Sequence, residues 1–179
     1  INIINEDAAW RKIFYGNPTE TNKGYKWQWG KYTSTLINDY ESVLSSVFSK
    51  ESNDLRCFKD LCDQGNKPDG YETIVEKIKK IWTEVLPQRE LIIEKFEAKA
   101  KYKEELYKAG SMSDGERVCL YLISQCLITP ENHIIVIDEP EIHLHTSIMK
   151  KLWDEIERYC PDKTFVYITH DLNFATDRK

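Results

Sequence analysis

Two short apolar runs, IIVID at 134–138 and TFVYIT at 164–169, constrain what this 179-residue chain can fold into more than any other feature. Between them Ile148, Leu152, Trp153, Ile156 and Tyr159 recur with the 3.6-residue period of an amphipathic helix. Parallel neighbours need a crossover long enough to carry the chain back to the same end of the sheet, and a helix supplies it. Strand, helix and strand in this order therefore predict two buried parallel strands. A further helix is expected from about Asp114 to Leu127, just ahead of the first run. The expected fold class is α/β, with a parallel-sheet core in the C-terminal half.

The N-terminal part reads differently. Leu36, Ile37, Tyr40, Val43, Leu44, Val47 and Phe48 make one apolar helical stripe, and Ile74, Val75, Ile78, Ile81, Trp82, Val85 and Leu86 make another. Asp69 with Glu72 has capping-box spacing at the start of the second, Pro87 stops it, and DQGNKPDG is a turn-rich connection between the two. The opening stretch, with NPTETNKG and YKWQWGKY, is expected to be mostly loop. After Pro87 the period changes to two: Ile92, Phe96, Ala98, Ala100 and Tyr102 fall on alternate positions, which predicts one half-buried strand paired with ELYKA at 105–109. The chain thus divides into a mostly helical region at 1–88 and an α/β half at 89–179.

Composition excludes several classes. Lys and Arg number 25 against 30 Asp and Glu, a balance of −5, so no strongly basic nucleic-acid surface is expected. No apolar run reaches the length of a transmembrane helix, and INIINEDAAW lacks the basic start and apolar middle of a signal peptide. Five cysteines form no CxxC pair, which suits reduced thiols in a cytoplasmic protein without membrane partners.

Three segments carry chemistry. In SMSDGE (111–116), Ser113 and Glu116 have capping-box spacing, Gly115 lets a ligand approach the backbone, and a helix N-terminus presents free N–H groups to an anion. An ordinary helix cap explains the same residues. In IIVIDEPE (134–141), Asp138 stands at a strand's carboxyl end, where α/β sheets bind ligands. It can hold Mg²⁺ through water, and Glu139 can orient or deprotonate an attacking water. A plain strand exit is the alternative. In VYITHD (166–171), His170 lies just past the second strand, level with Asp138 if the strands are neighbours. There it can contact a terminal phosphate, or it can be an ordinary surface histidine.

The IIVIDEPE segment also continues into a metal-like pattern. His143 and His145 form an H-x-H pair with Asp138, Glu139 and Glu141 close by, as a metal-dependent hydrolase would use. Against this, the pair follows a proline-containing turn, and the chain's four histidines leave few further ligands.

In order and spacing, the three segments together resemble ABC-type ATPases: SMSDGE the signature motif, IIVIDEP the Walker B strand, YITHD the switch-histidine segment. EPEIHLH looks most like the branch that contains the overcoming-lysogenisation-defect ATPases and their relatives in bacterial defence, some of which work with a toprim-like nuclease. The resemblance covers about residues 90–175 and implies a P-loop-NTPase-like fold. It implies that Asp138 helps hold Mg²⁺, Glu139 activates the hydrolytic water and His170 contacts the γ-phosphate. Ser113, Gly115 and Glu116 would meet ATP held by a second subunit in a nucleotide-sandwiched homodimer. Glu141, His143 and His145 would lie in the dimer-seam loop, although His145 stands near the family's Asp, which leaves its role open. Coupling to an effector, to a nuclease domain or partner, or to DNA in repair or phage defence would follow.

An ATPase of this kind also needs GxxxxGK[ST], and the chain has none. The nearest segment, GYKWQWGK at 24–31, has its glycines one residue too far apart and Tyr32 where Ser or Thr should follow. The expectation is a phosphate loop upstream of Ile1, with this chain alone nearly inactive. A non-hydrolysing, nucleotide-regulated interaction module is the other reading.

Overall fold

The computed structural model describes residues 2–4, 32–66, 68–94, 97–141 and 144–178. Most of the opening stretch, GYKWQWGK, Phe96 and His143 lie outside them. Of that stretch Tyr32 begins a helix, and residues 2–4 are a strand and not a loop: β1 (Asn2–Ile4) pairs antiparallel with the first apolar run.

Helix α1 (Tyr32–Asp63) buries Val43 and Val47 and ends where Gly65 takes φ +79, a conformation a Cβ would disfavour. Helix α2 (Ile74–Val85) starts later than Asp69–Glu72 spacing suggests. The capping box is Thr73 with Glu76: Thr73 Oγ1 accepts from the Glu76 N–H, and Glu76 Oε2 accepts from the Thr73 N–H at 2.8 Å. Two acids of α1 decide the matter. Asp54 Oδ2 accepts from the Ile74 N–H at 2.9 Å, and Glu51 Oε2 from the Val75 N–H at 3.0 Å. These carboxylates satisfy amides that the first turn leaves open and suit the positive end of the helix dipole.

The expected single strand across 92–102 is a hairpin, β2 (Glu90–Glu94) and β3 (Glu97–Tyr102), with β4 (Glu105–Lys108) on its far side. Leu91 faces Ala100 and Ile93 faces Ala98, and these four side chains are buried. The buried positions are odd in β2 and even in β3, because the register, with Glu94 opposite Glu97, pairs positions of opposite parity. One unbroken alternation across 92–102 does not contain that flip.

Helix α3 (Asp114–Ile128) is followed by β5 (Ile134–Asp138), α4 (Thr146–Tyr159), β6 (Thr164–Ile168) and the short α5 (Leu172–Asp177). β5 and β6 pair in parallel, Ile134 opposite Thr164 through Asp138 opposite Ile168, in a sheet of order β1-β5-β6. The fold class is α/β, as the two apolar runs predict. One apolar cluster joins α1, α2, both sheets, α3 and α4, with Trp82, Trp153, Ile78, Ile81, Leu120, Ile123 and Ile156 at its fully buried centre. Trp153 meets Tyr167 of β6 edge-on at 5.4 Å, and Tyr167 meets Phe174 of α5 at 5.2 Å, which packs α4 and α5 on the sheet.

β6 is less buried than two covered faces would make it. Ile135 and Ile137 are buried, whereas Ile134, Val166 and Ile168 on the opposite face are 45%, 43% and 52% exposed. Among the described residues the helices cover one face of this sheet. Trp82 is fully buried and its indole N–H donates to the Arg89 carbonyl at 2.8 Å. Trp82→Ala should therefore cost about 3–5 kcal/mol in guanidinium unfolding, while Leu55→Ala at a site 53% exposed should stay within about 0.5 kcal/mol.

Candidate functional site at the strand tips

The carboxyl ends of β5 and β6 form the first group. Asp138 lies opposite Ile168 in the last paired step, and the Glu139 N–H donates to the Ile168 carbonyl at 2.7 Å. The ladder thus runs one residue beyond the strand and brings Asp138, Glu139 and the Thr169–His170–Asp171 segment to one edge. Asp138 and His170 are exposed, and Glu139 is half-buried. An exposed carboxylate at a strand tip suits Mg²⁺, which keeps much of its water shell and takes few protein ligands.

Glu139 has φ 53, the left-handed region, immediately before Pro140. Proline disfavours the right-handed helical conformation for the residue ahead of it. A left-handed non-glycine residue costs about 1 kcal/mol, and such residues gather at functional positions. The chain turns sharply here, and the Trp153 indole N–H holds the Pro140 carbonyl at 3.4 Å from below.

Glu141 closes the group. Both of its carboxylate oxygens lie 2.9 Å from Thr169 Oγ1, which donates to them, and Thr169 Oγ1 accepts from the Asp171 N–H at 2.9 Å. His170 is the residue bracketed between Thr169 and Asp171. Asp171 in turn caps α5, its Oδ1 accepting from the Asn173 and Phe174 N–H groups at 2.9 and 3.3 Å. The loop after β5 and the segment after β6 are therefore tied by side chains as well as by the ladder. His145 stands apart from this tie as the N-cap of α4, Nδ1 accepting from the Ser147 N–H at 3.3 Å. Because His143 is outside the described residues, the H-x-H pair has no described geometry. Among the described residues no three His, Cys, Asp or Glu side chains gather closely enough to hold a metal ion by themselves.

Ser113, Gly115 and Glu116 form a second group, bound to the other sheet. The capping box is complete: Ser113 Oγ accepts from the Glu116 N–H at 3.3 Å, and Glu116 Oε2 accepts from the Ser113 N–H at 2.7 Å and from Ser113 Oγ at 2.8 Å. Glu116 Oε1 accepts from Arg89 Nε at 2.8 Å and from the Tyr107 hydroxyl at 2.6 Å. The Arg89 guanidinium also covers the Tyr102 ring, 3.6 Å from its centroid. Burial works to raise the Glu116 pKa, but the hydrogen bonds from Tyr107, Ser113 and Arg89 outweigh it and hold the carboxyl below its ordinary value. Burial, followed by the bond to Glu116, pushes the Tyr107 phenol up to about 12. Ser113 itself is exposed.

Sequence reasoning found neither Arg89 and Tyr107 as partners of Glu116 nor the Thr169–Glu141 bond. In the sequence Tyr107 is one residue of the ELYKA strand, and Arg89 carries no motif. Thr169 lay inside the YITHD segment without a role.

Residues 25–176 match a protein family described as "AAA domain, putative AbiEii toxin, Type IV TA system". The chain belongs to that family. As an AAA domain it is an ABC/AAA-like ATPase domain of α/β fold, and the resemblance read from its three motifs holds at that level. ABC transporter A family member 4 of Dictyostelium discoideum is 36% identical over 66 residues, 36% of this chain. The chain spans only 4% of that relative's length. A structure from work on ATP-driven dimerization and DNA-stimulated activation of SMC ATPases aligns at 20% identity and TM-score 0.48, over 59% of this chain and 72% of that one. The SmcHead bound to the C-winged helix domain of ScpA aligns at 19% identity and TM-score 0.46, over 58% and 36%. No helix among the described residues is long and apolar enough to cross a membrane.

Two stability predictions follow from the bonds at these groups. Thr169→Val should cost about 1–2 kcal/mol, because it strands the Asp171 N–H and the Glu141 carboxylate, whereas Thr169→Ser should cost less; chemical denaturation compares them. Glu116 has a depressed folded-state pKa, so its contribution is present above the ordinary carboxylate range and lost as pH falls through the depressed value. Melting temperature against pH should therefore fall more steeply on the acid side for the wild type than for Glu116→Gln.

Proposed function

We propose that this AAA domain is the part of an ABC-type ATPase that carries the Walker B acids, the switch histidine and the signature serine. The observation that carries the reading is the parallel register of β5 and β6, Asp138 opposite Ile168 with Glu139 bonded one step further on. It supports a common edge for an acid pair and an imidazole, where an ATPase of this kind works on its terminal phosphate.

In this reading Asp138 would help hold Mg²⁺ through water, and the ion would supply charge stabilisation for the transferring phosphoryl group. Glu139 orients the attacking water and accepts its proton. His170 donates to a γ-phosphate oxygen from the segment that Thr169 and Asp171 hold. Ser113 and Gly115 act on ATP bound by a second copy, so hydrolysis is tied to a nucleotide-sandwiched homodimer. That the acid group and the serine group are bound to different sheets supports a division of labour between two subunits. The loop bearing Glu141, His143 and His145 borders the dimer seam. The phosphate loop is supplied by another part of the protein, and the dimer drives an effector such as a nuclease or a DNA-bound partner, in repair or phage defence. The five cysteines are free thiols, which supports a cytoplasmic setting.

Glu139→Gln tests the reading in the full-length protein. The substitution removes the base while keeping size and hydrogen bonding, so turnover should fall by about 100-fold or more and ATP-bound dimers should accumulate in light scattering. Unchanged turnover would remove Glu139 from that role. ATP-bound dimers with no turnover even in the wild type would point to an interaction module that does not hydrolyse.

A further inference from the structure

Glu116 is a charged residue that is buried, at 7% exposure, and its two oxygens serve different parts of the fold. Oε1 belongs to the antiparallel sheet, through Arg89 just ahead of β2 and Tyr107 in β4. Oε2 belongs to Ser113, whose N–H and hydroxyl both donate to it. The hydroxyl has one hydrogen, and in this arrangement Glu116 takes it. To donate to a phosphate oxygen, Ser113 must turn that hydrogen away from a buried carboxylate.

The cost of that turn depends on what else the carboxylate has. Three donors remain when the serine hydroxyl leaves: Arg89 Nε, the Tyr107 hydroxyl and the Ser113 N–H. Buried ionised carboxylates need such partners, and losing the last of several costs less than losing one of two. Arg89 is itself held from three sides: its carbonyl accepts from Trp82, its side chain packs on Tyr102, and its Nε meets Glu116.

We infer that Arg89 and Tyr107 are positioning residues that act on Ser113 through Glu116, keeping the carboxylate charged and satisfied so that the serine hydroxyl is free to turn to a phosphate. The inference rests on the proposed role of Ser113. It gives the β2–β4 sheet a second function besides packing, since the placement of that sheet sets how readily the serine lets go. Without the two donors, Glu116 either keeps the hydroxyl or takes up a proton and loosens the cap.

The test is a double-mutant cycle in the full-length protein, with Mg²⁺ and a non-hydrolysable ATP analogue. Half-maximal dimer formation is read by sedimentation and thermal stability is measured alongside. Tyr107→Phe removes only the hydroxyl; it should raise the analogue concentration needed by about 5-fold, the worth of one hydrogen bond. In a Ser113→Ala background the same change should have almost no further effect, whatever it does to the melting temperature. Arg89→Lys should follow the same pattern, and if it fails to fold, Tyr107→Phe decides alone. An equal loss in both backgrounds would make the two residues structural only and overturn the inference, as would no loss with Ser113 intact. If Ser113→Ala by itself leaves dimer formation unchanged, the proposed role of Ser113 falls, and the inference with it.

Discussion

One backbone hydrogen bond, from the Glu139 N–H to the Ile168 carbonyl, carries the β5–β6 ladder past its last paired residues and organises much else. A parallel pair obliges the chain to return over a helix, so α4 must lie on the sheet. Trp153 of that helix then does two things: its ring meets Tyr167, and its indole N–H holds the Pro140 carbonyl where the chain leaves β5. The strand exit is thereby braced from the ladder on one side and from the crossover helix below. Glu141 and Thr169 add a side-chain tie between the same two segments. Backbone register, aromatic packing and side-chain bonding all converge on a few residues at one edge.

The second group is built on a different principle. Asp138 faces solvent and Glu139 is only half-buried, whereas Glu116 is charged and enclosed. An enclosed charge is tolerable only when its partners are nearly complete. Here the partners come from the helix's own first turn and from a sheet that precedes it in the chain, so the capping box is also a joint between elements. Cutting it on either side would disturb both the helix start and the seat of the sheet.

Much of this was legible from residue patterns, and the losses have physical reasons. The apolar runs at 134–138 and 164–169 led to the parallel pair, because few other arrangements bury two such strands joined by an amphipathic helix. Ser113 and Glu116 led to the cap, because that contact is local. Asp69 and Glu72 misled, because acids on α1, far away in the chain, decide where α2 begins. The alternation through 92–102 misled because the β2–β3 register puts odd positions of one strand and even positions of the other on the same face. Arg89 was invisible: its partner is 27 residues on, and nothing local to it signals a buried carboxylate. The exposed face of β6 was equally hidden, since Val166 and Ile168 have the same composition as core residues. For the strand-tip residues, the patterns indicated a location, and chemical roles rest on the proposal.

The left-handed backbone of Glu139 has a consequence for anyone who engineers this domain. Glycine or asparagine would sit there with less strain, so a library ranked only by thermal robustness would tend to enrich them. Such a screen would drift away from an acid at the left-handed residue where the chain leaves β5. Under the role proposed for Glu139, selection for hardiness and selection for chemistry would pull this single residue in opposite directions.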